Sequence, residues 1–588
     1  MMIYPSYSLG LLLLILLAAS PSLQAPTRQG SYRDAPSQGH APGFPPSGQH
    51  GAVATEVDVC SNVGVVILKQ GGNAVDAAIA ATLCVGSIDA FHSGLGGGGF
   101  GLIRTATDGI KMFDFRETAP GASSQDMYDS NTTSSTVGGL AVGVPGEMRA
   151  WQELHTRFGR LPFASLFGPA IELNRNGFKV PNQLGVALNP TGYPFLCKDT
   201  LFAESYCPNG IIKKEGDVVK RVRYAATLEK MAREGSNAFY KGKIAENTVA
   251  AVNATGGIIT LQDLESYQVE WRNPNSITFR NHRVYAGVAP SSGNVVLSTL
   301  KTLDQFAELD PTANLTVHRM VEAMKFGYGE RTTYADPAFI TNVTALQADY
   351  IRDTYAKVKA GKIHDGSVGV AGYYDPGNIT VLQDAGTSQI SVVDAHGIAV
   401  TLTTSINTFW GSGVMTADGI ILDNTMDDFS KPFAPNVYGY VPAPPNFIRP
   451  GKRPLSSISP VIVEDLATGT LQLATGSAGG SRIITAVIQN VFGVLASNGT
   501  INLQQSIARP RLHDQLMPNK TSLEWADSDI PGFSGYDNST ARYLASVGHT
   551  VSWVAPGSST AQGVQRFANG TMLAAHEIRQ LSSGGAAY

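Results

Sequence analysis

Charge is scarce in this 588-residue chain: Asp, Glu, Lys and Arg make up 15% of it, against roughly 25% in an ordinary soluble domain, and the net charge is only -4. That balance implies no polyanion-binding stripe, which argues against a nucleic-acid partner. The apolar run Leu9–Ala19 is about eleven residues long, short of the roughly 20 that a spanning helix needs. No G-x-x-x-x-G-K-[ST] occurs, His576-Glu577 lacks the second histidine of a zincin, and no G-x-S-x-G elbow is present. Gly94-Leu95-Gly96-Gly97-Gly98-Gly99 contains a G-x-G-x-x-G match, but it follows a helical stretch and lacks the strand-turn-helix setting. Phosphate, dinucleotide, zinc and serine-hydrolase readings all fall away, and no metal or organic cofactor is expected.

What is present suits a large globular protein, with 43% hydrophobic residues and aromatics throughout. Leu9–Ala19, followed by Ser20-Pro21 and small residues up to Ala25, reads as a signal-peptide core with its cleavage site, or as an uncleaved anchor because the basic flank is missing. Nine Asn-x-Thr triplets, beginning at Asn131, Asn253, Asn314, Asn342, Asn378, Asn498, Asn519, Asn538 and Asn569, favour glycosylation in a secretory pathway. The chain is therefore expected outside the cytoplasm, secreted or held by an N-terminal anchor. The four cysteines suggest disulfides over metal ligands. Proximity favours Cys60 with Cys84 and Cys197 with Cys207 among three possible pairings, four buried free thiols being the alternative.

Residues 26–49, rich in Pro, Gly, Ser and Gln, read as a flexible leader. From Val57 to Lys69 apolar residues recur at helical spacing, Gly71-Gly72 stops that helix, and Asn73 caps an alanine-rich helix predicted to reach about Leu83. Antiparallel packing of the two would bring Cys60 near Cys84. Another helical run covers Thr316–Tyr328. Beyond Thr387, apolar and polar residues alternate on both sides of Asp394-Ala395-His396-Gly397, which predicts a β-hairpin with Thr387 opposite Thr404 or Ser405.

Several segments then match a known pattern in order: Gly71–Ala78, Ser93–Phe100, Asp114-Phe115-Arg116-Glu117-Thr118-Ala119-Pro120, Asp384-Ala385-Gly386-Thr387-Ser388, Ser405-Ile406-Asn407, Gly411–Met415, Met426-Asp427-Asp428-Phe429-Ser430, Asn446–Ile448, Pro454-Leu455-Ser456-Ser457 and Gly476-Ser477-Ala478-Gly479-Gly480. Together they resemble the γ-glutamyltransferases, or glutathione hydrolases, of the N-terminal-nucleophile hydrolase superfamily, over nearly everything after residue 50. The resemblance implies an α/β fold of four αββα layers built from two fragments of one self-cleaved chain. Residues 1–25 would be the signal or anchor, 50–386 the large subunit and 387–588 the small, catalytic one. It also implies a γ-glutamyl donor such as glutathione, and water, an amino acid or a peptide as acceptor.

The chemistry is intelligible from the residues upward. An internal threonine hydroxyl has no base beside it, whereas an N-terminal threonine carries its own α-amine, with an unperturbed pKa of about 7.7 to 8.0. Cleavage of Gly386-Thr387 would create that base, and a glycine at 386 lets the backbone bend while the hydroxyl attacks. By resemblance, the Gly479 and Gly480 N–H groups form an oxyanion hole, and Ser405 replaces a threonine that hydrogen-bonds the nucleophile. Arg116 would hold the donor α-carboxylate with help from Ser456 and Ser457, Asp428 the α-ammonium, and Asn407 the same amino-acid end. Thr425 stands where the family usually has Glu or Gln. A loop between Ser430 and Arg453 with Tyr438 and Tyr440 occupies the place of the family's lid. Two other readings compete: an amide acylase of different specificity, such as for cephalosporin-type acyl groups, and a catalytically silent glycosylated binding protein.

Overall fold

The computed structural model describes residues 45–374, 386–432 and 442–588. The segments 1–44, with the predicted signal and most of the leader, 375–385, with Asn378 and Asp384-Ala385, and 433–441, with Tyr438 and Tyr440, lie outside the described residues.

Fourteen strands form two large sheets. In chain order they are β1 (Ser47–Gly48), β2 (Gly51–Thr55), β3 (Gly98–Thr105), β4 (Gly109–Asp114), β5 (Glu270–Arg272), β6 (Asn275–Phe279), β7 (His282–Ala286), β8 (Ser388–Asp394), β9 (Ala399–Ser405), β10 (Val461–Asp465), β11 (Leu471–Ala478), β12 (Thr560–Arg566), β13 (Met572–Ala575) and β14 (Gly584–Ala587). The first sheet runs β14-β2-β8-β9-β3-β4-β5 and the second β1-β13-β12-β11-β10-β7-β6, every pairing antiparallel. Each sheet takes strands from both sides of residue 386. The last residues of the predicted leader are ordered, since Ser47 and Gly48 pair with Leu573 and Met572.

Helices α1 (Asp58–Lys69) and α2 (Ala74–Ile88) pack on the outer face of the first sheet, against β2 and β8. Helices α3 (Gly293–Leu303), α4 (Asn314–Arg331) and α5 (Arg482–Leu495) cover the second, α3 against α4, α5 and the β6-β7 edge and α5 against β11. With β8 facing β11 and β12 between them, this is the four-layer α/β arrangement. Asn73 accepts from the Val75 and Asp76 N–H groups while Asp76 bonds back, the reciprocal cap expected at that asparagine. α2 continues five residues past the predicted Leu83 because every residue to Ile88 is buried. Cys60–Cys84 ties α1 to α2, and Cys197–Cys207 ties two short neighbouring helices, Phe195–Lys198 and Thr200–Tyr206.

The hairpin forms with Ser388 opposite Thr404, which sets Thr387 against Ser405. The Asp394 carboxylate fixes its turn by accepting from the His396 and Ile398 N–H groups, and it also accepts from Ala74 N–H at 3.0 Å, anchoring the turn to the start of α2. The alternation does not separate core from solvent, because both faces of β8 and β9 are buried. Gln389, Ser391, Thr401 and Thr403 face one another in a hydrogen-bonded polar layer, with Gln389 Nε2 2.9 Å from Thr401 Oγ1. Gly476 on β11 leaves room for Gln389, since a Cβ there would lie 2.2 Å from its Oε1.

Among the described sequons, Asn131, Asn253, Asn342, Asn498, Asn519, Asn538 and Asn569 are exposed. Asn314 is half-buried and accepts a hydrogen bond from the Thr540 hydroxyl. Among the described residues no helix is long and apolar enough to cross a membrane.

Candidate active site

Thr387 sits just before the first paired residue of β8, at the open end of the central hairpin, and is 8% exposed. The Gly479 N–H, from the turn between β11 and α5, donates to Thr387 Oγ1 at 3.0 Å. Gly479 has φ +117 and Gly480 φ +61, so this turn needs two residues in conformations that side chains disfavour. A Cβ on Gly479 would also come within 2.6 Å of the Ser558 carbonyl oxygen. The turn thus aims the Gly479 backbone donor at the threonine, beside the positive end of α5.

On the other side, the Ser405 hydroxyl donates to the Gly386 carbonyl oxygen at 2.7 Å and accepts from Asn407 N–H at 2.7 Å. This hydroxyl is directed at the carbonyl preceding Thr387. Gly386 has φ +93, and a Cβ on it would lie 2.3 Å from the Asn407 carbonyl oxygen, so both conformation and space require glycine. Asn407 is buried, and its Nδ2 donates to the Asn424 carbonyl.

Arg116 and Asp428 form a buried ion pair with each other, and Arg116 Nη1 also lies 3.5 Å from Glu117 Oε2. Their positions are held through backbone carbonyls: Tyr267 OH and Arg453 Nη1 both donate to the Arg116 carbonyl, and Asn446 donates to the Asp428 carbonyl while accepting from Leu455 N–H. The same asparagine therefore links Asp428 to the segment carrying Ser456 and Ser457. Both serines are buried. Ser456 Oγ accepts from Ile458 N–H, and Ser457 Oγ accepts from Arg331.

Next to this pair lies a cluster of buried acids that the sequence reading passed over. Burial pushes the Glu117 carboxyl above its usual range despite Arg116, and burial together with Glu117 pushes Asp423 well above its own. Asp423 Oδ1 accepts from the Gly143 and Thr425 N–H groups. The Thr425 hydroxyl faces both carboxyls and eases the charge on each, though neither it nor Glu117 Oε1 nor Asp423 Oδ2 makes a close hydrogen bond. Glu147, lifted to about 7 by burial, accepts a short bond from the Thr404 hydroxyl. The glycine run Gly96-Gly97-Gly98 separates this cluster from the hairpin. A Cβ at any of the three would come within 2.2 Å of a backbone oxygen, of Ile421, Ser405 or Phe115 respectively, so the run serves close backbone packing.

A third group lies behind Thr387. His92 Nδ1 is 2.7 Å from the Thr387 carbonyl oxygen, and its Nε2 faces Glu56 and Asp89. These three are the one set among the described residues with metal-ligating side chains in mutual reach. A lone histidine before a glycine run carries no sequence signal of this role, since the carboxylates join it only in the fold. The whole arrangement offers a hydroxyl touched by a backbone donor, a polarised carbonyl before it, and a buried cation paired with an anion. Such a set suits acyl transfer on a zwitterionic substrate.

The family model described as Gamma-glutamyltranspeptidase matches residues 60–587. A glutathione hydrolase proenzyme of Arthroderma benhamiae is 42% identical over 92% of this chain and 93% of its own length. Glutathione hydrolase 2 of Arabidopsis thaliana is 39% identical over 81% of this chain and 82% of its own. Among solved structures, a cephalosporin acylase from Bacillus halodurans superposes with a TM-score of 0.79, covering 97% of this chain and 99% of its own at 23% identity, a likeness of fold.

Proposed function

The chain belongs to the γ-glutamyltranspeptidase family, and from that premise we propose that it cuts itself between Gly386 and Thr387 and then uses Thr387 to move a γ-glutamyl group. It is an enzyme of the glutathione hydrolase type. The donor is glutathione or a related γ-glutamyl amide; the acceptor is water, an amino acid or a peptide.

The observation that carries the reading is the pair of contacts on either side of the Gly386-Thr387 bond: Ser405 Oγ on the Gly386 carbonyl at 2.7 Å and Gly479 N–H on Thr387 Oγ1 at 3.0 Å. In the first reaction Thr387 Oγ1 attacks the Gly386 carbonyl carbon, and the oxyanion forms against the Ser405 hydroxyl. The C–N bond breaks, the threonine nitrogen takes the hydroxyl proton, and an ester joins Gly386 to Thr387. Water hydrolyses it, leaving a Gly386 carboxylate and a free Thr387 α-amine. In the second reaction that amine takes the hydroxyl proton as Oγ1 attacks the donor amide, with Gly479 and Gly480 N–H groups receiving the oxyanion. The leaving amine departs with the proton, and the acceptor resolves the γ-glutamyl ester.

Donor binding follows from charge. The γ-glutamyl group carries a carboxylate and an ammonium at its far end, and Arg116 and Asp428 already neutralise each other. A zwitterion inserted between them exchanges one ion pair for two, each charge-assisted contact contributing about 1.5 to 3 kcal/mol before desolvation. Ser456 and Ser457 would add hydroxyls to the carboxylate and Asn407 an amide to the amino-acid end.

The products of the cut, the part up to Gly386 and the part from Thr387, stay together because strands from both enter each sheet. The two disulfides and the exposed sequons support a secreted or N-terminally anchored enzyme. The donor assignment is tested with a chromogenic γ-glutamyl anilide, with and without a dipeptide acceptor. Amine release by cut protein is the expected result, and cut protein that releases none overturns the donor assignment.

A further inference from the structure

His92 follows the end of α2 and is 5% exposed, with the Phe91 and Phe409 rings against its imidazole. Its Nδ1 is 2.7 Å from the Thr387 carbonyl oxygen. A carbonyl only accepts, so Nδ1 carries a hydrogen and donates. Nε2 then points toward Glu56 Oε2 at 3.6 Å and Asp89 Oδ2 at 3.8 Å, and neither Nε2 nor Glu56 Oε2 has a hydrogen bond. A bare lone pair facing two buried carboxyls is repelled, whereas a proton on Nε2 turns the same geometry into attraction.

The surroundings hold that arrangement from several elements. Glu56, in the turn between β2 and α1, accepts from the Thr560 hydroxyl of β12 at 2.9 Å. Asp89, at the end of α2, accepts from Gln183 at 2.9 Å. Burial works against charge on His92, but Asp89 and Glu56 outweigh it and keep the imidazole pKa above its ordinary value. Burial lifts Glu56 itself to about 7.

We propose that His92 is a positioning residue for Thr387: its imidazolium, backed by Asp89 and Glu56, clamps the Thr387 carbonyl and places a positive charge beside the α-amine that self-cleavage releases. This rests on Thr387 being the nucleophile. The clamp fixes the Thr387–Ser388 peptide plane, and with it the directions of the amine and of Oγ1 toward the Gly479 donor. The charge disfavours protonation of the amine, so the base is available at lower pH than it would be alone.

The test compares the wild-type full chain with His92→Asn, which keeps an N–H donor near the Nδ1 position without charge, His92→Phe, which removes donor and charge, and Glu56→Gln. Self-cleavage is followed by gel, folding by melting, and turnover of a γ-glutamyl anilide across pH. His92→Phe is expected to slow self-cleavage and to lower kcat about 10-fold or more, with KM little changed. His92→Asn is expected to recover cutting and most of kcat, while the acid limb of kcat/KM moves up by about half to one pH unit. Glu56→Gln should move it the same way by less. A wild-type acid limb in both His92→Asn and Glu56→Gln overturns the proposal, and so does activity removed by a chelator and restored by zinc, which would put a metal on Nε2. Should His92→Phe not fold, the limb shift in the other two variants decides. A wild-type chain left uncut before Thr387 overturns the nucleophile assignment instead, before any His92 variant is made.

Discussion

Around Thr387 the contacts join hydroxyls to backbone groups, Ser405 to the Gly386 carbonyl and Gly479 N–H to Thr387 itself. Around Arg116 they join buried charged or titratable groups, and Glu117, Asp423 and Thr425 each hold a polar atom without a hydrogen bond. The Thr387 end is built from glycine turns whose geometry is set by φ and close packing. At the Arg116 end, buried polar atoms without a hydrogen bond cost roughly 1 to 3 kcal/mol each. On the proposed reading a ligand bringing its own carboxylate and ammonium adds partners there. The Thr387 end is then expected to govern kcat and the Arg116 end KM.

The sharpest way to break this division is to remove the nucleophile. Thr387→Ala should stay a single uncut chain and lose at least about 10⁴-fold in turnover, measured by gel and by anilide hydrolysis. Gly479→Ala comes next. Its Cβ would press on the Ser558 carbonyl and displace the donor N–H, so kcat should fall about 10² to 10³-fold while KM stays within a few-fold. Arg116→Lys keeps the charge but not the planar fork, and KM for the donor should rise roughly 10-fold or more with a smaller change in kcat. An effect on kcat alone would merge the two ends into one.

How much of this was legible in the sequence differs between the same two ends. The hairpin and the Asn73 cap follow from local rules, and each stands where its residues put it, whereas the Gly479-Gly480 turn was read through resemblance. The alternation of Gln389, Ser391, Thr401 and Thr403 predicts the hairpin but not its surroundings, since a second sheet covers the polar face. The charged end was legible only through resemblance, as Arg116 and Asp428 are 312 residues apart. Glu117, Asp423 and Glu147 gave no signal, since a carboxyl looks alike in sequence whether it is solvated or buried. His92, Glu56 and Asp89 were missed for the same reason.

Smaller perturbations sharpen the comparison further. Thr425→Gln puts an amide beside the Glu117 and Asp423 oxygens that lack a close hydrogen bond. Donor KM should fall about 3- to 10-fold at unchanged kcat, the worth of one added hydrogen bond. Glu147 gives a stability effect instead. Its folded pKa of about 7 lies above the usual 4.5, so its unfolded carboxyl ionises first and stability is lost as pH rises from about 4.5 through about 7. Up to about 3 kcal/mol is involved. Glu147→Gln removes that loss, and its Tm should fall by a few degrees less than the wild type's between pH 5 and pH 8.

The central claim is that one peptide bond, Gly386-Thr387, is cut by the hydroxyl that follows it. The direct measurement is the intact mass and N-terminal residue of the fragments in freshly purified wild-type protein. Two chains held together under native conditions are expected, one of them beginning at Thr387. A single full-length chain that nevertheless turns over a γ-glutamyl anilide would contradict it.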